Sequence, residues 1–150
     1  MLNDILIYFN WANDPAVRDQ SFDSNTIDFE THEKWFKEAL KDTKCFMYLF
    51  QNEENDYVGQ VRIQIQNGNN AIIGISIDAQ YRGKRYSREM IEKACDSFFG
   101  INRDCSVSAF IKVGNLGSKS AFMKAGFEYT ATTEINNYKS LHFTKKSHAN

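Results

Sequence analysis

The chain has 150 residues, enough for one domain with its own core, and its 42% hydrophobic and 14% aromatic content argues for folding rather than disorder. With 18 basic against 19 acidic residues it has neither a basic field for wrapping nucleic acid nor an acidic tail. No apolar run nears the ~20 residues that span a bilayer, and the start MLNDILIYFNW lacks the basic region, long apolar stretch and cleavage site of a signal peptide, so a cytoplasmic protein that binds neither membrane nor nucleic acid is expected.

The first apolar run, Ile5 to Phe9, reads as a short strand. NDPAVR follows as a helical turn, with Pro15 near its start, where a missing N–H costs little. DFETHEKWFKEALK is the clearest early helix: Asp28 can cap it, and Phe29, His32, Phe36, Ala39 and Leu40 share one side. CFMYLFQ, 45–51, reads as a buried strand. In DYVGQVRIQIQNG, 56–68, Val61, Ile63 and Ile65 alternate with Gln60, Arg62 and Gln64. NAIIGISIDA, 70–79, is the next strand, and NGNN between the two predicts a hairpin. A helix over 86–99 follows, with Tyr86, Met90, Ile91, Ala94, Cys95, Phe98 and Phe99 as its core stripe. Then come a strand at 105–113, a short helix ending at Ala125-Gly126, and a closing strand pair, FEYTATTEI and YKSLHFTKK.

The order β-α-α-β-β-β-α-β-α-β-β describes an α+β or mixed-sheet fold in a single domain over 1–150, not a repeated βα unit. Pro15 is the only proline, and no repeat or linker divides the chain. Cys45, Cys95 and Cys105 each sit in an apolar stretch and are expected as buried reduced thiols. None has a base beside it in sequence, so no covalent role is expected. Without a CxxC or paired histidines, no metal site is expected.

The densest basic cluster lies in QYRGKRYSR, 80–88, where Arg82, Lys84, Arg85 and Arg88 surround a tight turn between a strand and a helix start. Free N–H groups of a first helical turn, and the helix dipole, favour an anion there, and Gly83 allows close approach. The stretch reads either as a phosphate or pyrophosphate cradle or as a solvated basic loop. It is no Walker loop, since no GK[ST] follows, and no dinucleotide fingerprint.

QYRGKR resembles the pyrophosphate loop of the GNAT family of N-acetyltransferases, Q/R-x-x-G-x-G/A. Gln80 and Gly83 match, and Arg85 stands where a small residue is usual. NLGSKSAFMKAGF, 115–127, resembles that family's second signature, N-x-x-S-x-x-x-(Y/F)-x-x-x-G-F, through Asn115, Ser118, Phe122, Gly126 and Phe127. The element order is similar along essentially the whole chain. The resemblance implies a mixed, mostly antiparallel central sheet with a splayed strand pair and flanking helices. It implies acetyl-CoA as co-substrate in a cleft between 73–79 and 105–113. The backbone of Ile75, Ile77 and Asp78 would meet the pantetheine arm. Arg82, Gly83, Lys84, Arg85, Tyr86 and Ser87 would surround the pyrophosphate, with Asn115, Ser118 and Phe122 on the far wall.

A narrower resemblance covers residues 11–40 and GQVRI at 59–63. They are similar to bacterial acetyltransferases of pseudaminic-acid type, which act on the 4-amino group of a UDP-linked amino-dideoxy sugar. Trp11, Arg18, Ser21, His32, Trp35, Phe36, Gln60 and Arg62 carry it. The implied acceptor is a small-molecule amine, with a protein N-terminus as runner-up and a non-catalytic acyl-CoA-binding module as the other class; a homodimer is compatible with this. The transfer needs a neutral amine and a proton source for the thiolate. Many relatives use a tyrosine in the second signature, but Phe122 cannot donate, which leaves water, Tyr129 or Tyr138.

Several candidates have two readings. His32 is a base or acceptor contact, or a satisfied half-buried histidine. Ser76 touches the acetyl group or packs. Arg18 contacts substrate or neutralises Asp14 or Asp19. Arg62 meets an anion or belongs to a surface ladder. Trp11 and Trp35 stack on uracil or fill the core. His142 and His148 read as tail and surface.

Overall fold

A computed structural model of the chain describes residues 4–22 and 25–147. Three helices come first: α1 (Ile5–Ala12), α2 (Pro15–Gln20) and α3 (Phe29–Lys41). The run Ile5–Phe9 is therefore helix, not strand. Tyr8 and Trp11, three residues apart, are 3% and 6% exposed, while Leu6 is 60% exposed. That is helical spacing, and the five-residue run alone could not reveal it because Trp11 lies beyond it. The caps follow the sequence. Asp14 accepts from Ala16 N at 2.9 Å to start α2, with Pro15 in its first turn. Asp28 accepts from Thr31 N at 2.8 Å to start α3, which buries His32, Phe36 and Ala39.

Six strands, β1 (Cys45–Gln51), β2 (Tyr57–Asn67), β3 (Asn70–Ile77), β4 (Ser106–Lys112), β5 (Glu128–Ile135) and β6 (Tyr138–Lys146), form one sheet in the order β1-β2-β3-β4-β6-β5. Only β3 and β4 are parallel. The β2–β3 hairpin turns at Gly68, whose φ of +52° suits glycine, with Asn67 opposite Asn70. β1 is an edge strand, so Cys45–Phe50 are half-buried rather than buried as expected. All three cysteines are free; Cys95 and Cys105 are buried, Cys45 only half so. His142 is not in a tail. It sits in β6, stacked 4.5 Å from the Phe110 ring, with Nε2 2.9 Å from Ser108 Oγ. His148 lies outside the described residues.

Alternation in β2 sends its residues to two different layers. Val61 and Ile63 point into the main core with Ala71, Ile73, Val107, Ala109 and Phe143. α4 (Tyr86–Ile101) and α5 (Leu116–Lys124) cover that face, α4 through Met90, Ile91, Ala94, Cys95 and Phe98. α4 outlasts the expected helix by two residues. Burying side chains such as Phe98 contributes about 1.5–3 kcal/mol each. Gln60, Arg62 and Gln64 take the other face, where α1 meets β3 and α3 meets β1. There Tyr8 and the fully buried Phe36 pack with ring centroids 5.0 Å apart.

The positioning feature is the β3–β4 seam. The two strands pair only between Asn70–Ile72 and Ser106–Ser108. Beyond that, β3 stays on β2 through Ile77 and β4 stays on β6 through Lys112. The strands splay, and Ile73–Ile77 have no strand partner on the β4 side.

Candidate active site

The splay opens into a cavity of about 1180 Å³ that continues over β2 and β3 and under the N-terminal helices. It gathers residues from both halves of the chain. From the expected cofactor set it is lined by Ile75, Ile77, Arg82, Ser87, Asn115, Ser118 and Phe122; from the expected acceptor set by Arg18, Ser21, His32, Trp35, Gln60 and Arg62; Ser76 lies between them.

At the cofactor end, a 3-10 turn at Ala79–Tyr81 leads from β3 to α4. Asp78 caps that turn, accepting from Gln80 N at 3.0 Å, and its other oxygen accepts from Trp11 Nε1 at 2.8 Å. The Asp78 N–H is already donated to Val58 O, 2.7 Å away. Asp78 is thus a structural hub outside the cavity lining, which differs from the expected pantetheine contact. Gly83 has φ +75°, and a Cβ there would meet nothing within 4 Å. Arg85 is the N-cap of α4 in the left-handed region, φ +67°, and its side chain caps nothing. The α4 start therefore keeps its N–H groups free of a side-chain cap, as an anion cradle requires.

The basic cluster around this loop is partly spent. Arg82 pairs with Asp14 at 2.9 Å, Arg88 pairs with Glu92, and Lys84 Nζ lies 5.5 Å from the Tyr81 ring. Burial pushes the Asp14 carboxyl up, but hydrogen bonds from Arg82 and the Ala16 N–H, with the Arg82 charge, hold it below the usual carboxylate range. Gly83, Lys84, Arg85 and Tyr86 form the loop without lining the cavity. On the far wall Asn115 caps α5, accepting from Ser118 N at 3.2 Å. Phe122 packs edge-on to Phe127, centroids 5.0 Å apart.

At the acceptor end, Gln60 Nε2 donates to Ser76 Oγ at 3.2 Å. Arg62 is no surface ladder: its guanidinium lies 5.0 Å over the Trp35 ring. His32 is 3% exposed and its Nε2 has no partner among the described residues. Burial lowers its pKa from the ordinary value, opposed by a hydrogen bond with the Ile5 backbone, so the ring is neutral at pH 7. Arg18 reaches Asn25 O at 3.1 Å and Ser21 Oγ at 3.2 Å.

Four expectations shift. Trp11 is buried and bonded to Asp78, a strut rather than a stacking surface, and Phe36 has no exposed face. Tyr129 is 57% exposed, with its hydroxyl on Thr132, and Tyr138 holds the Lys112 ammonium 3.7 Å from its ring. Neither tyrosine lines the cavity. Both lie on the β5–β6 hairpin, which sends Thr133 and Ile135 to the cavity instead. Tyr8, which the strand reading of 5–9 concealed, does line it, with a buried hydroxyl that has no partner among the described residues. Among the described residues the lining holds four cations, Arg18, Arg62, Arg82 and Lys112, and no aspartate or glutamate. Burial pushes the Cys95 thiol up to about 12, far from a nucleophile's range.

The domain model of the acetyltransferase (GNAT) family matches residues 2–128. No curated protein matches the sequence. Among solved structures, the spermidine N-acetyltransferase from Vibrio cholerae, in complex with CoA and spermine, is similar at a TM-score of 0.86 and 18% identity, over 95% of this chain and 89% of that one. The aminoglycoside acetyltransferase AAC(6')-Ib, in complex with coenzyme A and kanamycin, is similar at a TM-score of 0.79 and 12% identity, over 97% of this chain and 91% of that one. At these identities the likeness is one of fold.

Proposed function

The chain belongs to the acetyltransferase (GNAT) family, and from that premise we propose that it transfers acetyl from acetyl-CoA to the 4-amino group of a UDP-linked amino-dideoxy sugar. The family carries the acetyl-CoA dependence; the acceptor rests on the electrostatics of the cavity. The two similar structures hold spermine and kanamycin, both polyamines. A polycation needs carboxylates, and here the described lining has none against four cationic side chains. An acceptor bearing phosphates suits that field, and Trp35 offers an aromatic face at the same end.

Bound acetyl-CoA supplies the thioester carbonyl that the amine attacks. The splayed edge of β3 presents backbone groups toward the pantetheine side, and the N–H groups at the start of α4 hold the pyrophosphate. Ser76, held by Gln60, stands between the two ends and orients the reacting groups. The reaction forms the amide N–C bond, breaks the thioester C–S bond, and returns the amine's proton to the leaving sulfur. Phe122 has no proton to give, and Tyr129 and Tyr138 lie outside the lining, so water carries that proton. A thiolate leaving group whose thiol has a pKa of ~8.5 needs little help near neutrality.

The observation that carries the acceptor reading is the cationic, carboxylate-free lining. A competition assay tests it, with UDP-linked 4-amino-4,6-dideoxy sugars, N-terminal peptides and spermidine as acceptors. Preference for the nucleotide sugar, with UDP as a competitive inhibitor, is expected. Faster acetylation of a peptide or of spermidine, without response to UDP, overturns it.

A further inference from the structure

Of the four cations lining the cavity, three are engaged. Arg82 faces Asp14, Lys112 donates to Asp19 O at 2.7 Å, and Arg18 holds Asn25 O and Ser21 Oγ. Arg62 differs: among the described residues it forms no ion pair and no hydrogen bond, its guanidinium lying 5.0 Å over the Trp35 ring with Tyr8 and Cys45 as its electrostatic neighbours. It lies on the sheet face beneath α1 and α3, where burial pulls its pKa down from the usual guanidinium range. Arg62 is half-buried, and a partly desolvated charge without a counter-ion is a cost to the fold. Such a cost, kept at a site, points to a partner that arrives from outside.

Two further polar atoms around the same aromatic cluster are also unmatched. Tyr8 Oη and His32 Nε2 are buried and without partners among the described residues, and both residues line the cavity; the neutral His32 ring gives its N–H to the Ile5 backbone, so its Nε2 is an acceptor. The Tyr8 ring packs on Phe36 at 5.0 Å, and the His32 ring lies 5.5 Å from Trp35, the ring that carries Arg62. Burial holds the Tyr8 phenol protonated, so it is available as a donor. A guanidinium fork and a phenol, neither hydrogen-bonded among the described residues, call for a ligand with several acceptor oxygens around one charge.

We propose that Arg62 and Tyr8 form a phosphate subsite for the acceptor, separate from the loop at the start of α4 that takes the CoA pyrophosphate. This rests on the reading of an anionic acceptor given above and assigns its phosphoryl group a place. The subsite is bounded by Trp35, against which the base or sugar of the nucleotide lies.

The test uses the full chain saturated with CoA, so that the CoA loop is filled, and titrates UDP and inorganic pyrophosphate by calorimetry. Wild type binds UDP under these conditions. Arg62→Met weakens UDP by about tenfold or more, the loss expected for a charged hydrogen bond, and Tyr8→Phe by about threefold to tenfold. CoA affinity, measured separately, does not change. Without ligand, Arg62→Met melts no lower than wild type, because the variant removes an unpaired charge and keeps the stem. A purely structural Arg62 gives the opposite result, a lower melting temperature with UDP binding intact, and overturns the proposal. If Arg62→Met does not fold, Arg62→Lys decides: it keeps the charge but loses the fork, and unchanged UDP affinity refutes the subsite. Two failures are separable. If no amino-sugar nucleotide is acetylated but UDP binding still depends on Arg62, the subsite stands and the acceptor's identity falls. If the sugar is acetylated with a KM that Arg62→Met leaves unmoved, the subsite falls and the acceptor stands.

Discussion

Arg85 departs from the usual small residue of the pyrophosphate loop, and its backbone states the cost. Its φ of +67° and ψ of 22° place it in the left-handed region, where an L side chain is disfavoured by about 1–2 kcal/mol. The side chain is exposed and does not cap α4, so removing it forfeits little packing. Arg85→Gly relieves the strain but loosens the unfolded chain, which takes back about 0.5–1 kcal/mol. Glycine is also an acceptable N-cap. The expected net gain is about 0.5–1 kcal/mol, which for a chain of this size is a rise of about 1–4 °C in Tm. Urea unfolding of the unliganded protein should show a higher midpoint with the same m-value. Arg85→Ala is the control, because it keeps a Cβ in the left-handed region and should gain nothing. An alanine variant as stabilised as the glycine one would assign the effect to repulsion among the neighbouring cations. A glycine variant less stable than wild type would refute the strain argument.

Asp14→Asn keeps the α2 cap but frees Arg82; calorimetry should show CoA binding tighter by roughly twofold to fivefold, with less than about 1 kcal/mol of stability lost, since the pair is partly exposed. Phe122→Ala opens a cavity beside Phe127 and should cost about 3–5 kcal/mol in urea unfolding. Tyr129→Phe and Tyr138→Phe should leave kcat near wild type; a loss of ~100-fold in either, with the fold intact, would make that tyrosine the missing acid. His32 binds a proton more weakly in the native state than in the unfolded chain, so stability should fall as pH drops from about 6.5 toward its lowered native value, by up to ~1.4 kcal/mol per unit. The lowered carboxyls of Asp14 and Asp28 act only below about pH 4, so His32→Gln should flatten the slope between pH 6.5 and 5 in urea midpoints.

The sequence by itself determined what short-range rules govern. The β2–β3 hairpin came from alternation and an Asn-Gly turn, and α3 from its cap at Asp28 and its 3.6-residue stripe. The cradle was legible because a turn, a glycine and a helix start are contiguous. The two signatures, on either side of α4 and β4, placed the splay. What lay beyond the sequence depends on contacts between distant segments. Trp11 and Asp78 meet across 67 positions, turning an expected stacking ring into a strut and an expected pantetheine contact into a cap. Whether the basic residues are spent was equally invisible, because Asp14 reaches Arg82 only after α2 docks beside the loop. The Ile5–Phe9 run was misread because its helical face is defined by the sheet it covers, and Tyr8 was lost from the site with it. Arg62 shows the same division. Alternation put it on the polar side of β2, but α1 and α3 fold over that side, leaving the half-buried guanidinium over Trp35 with no carboxylate partner among the described residues.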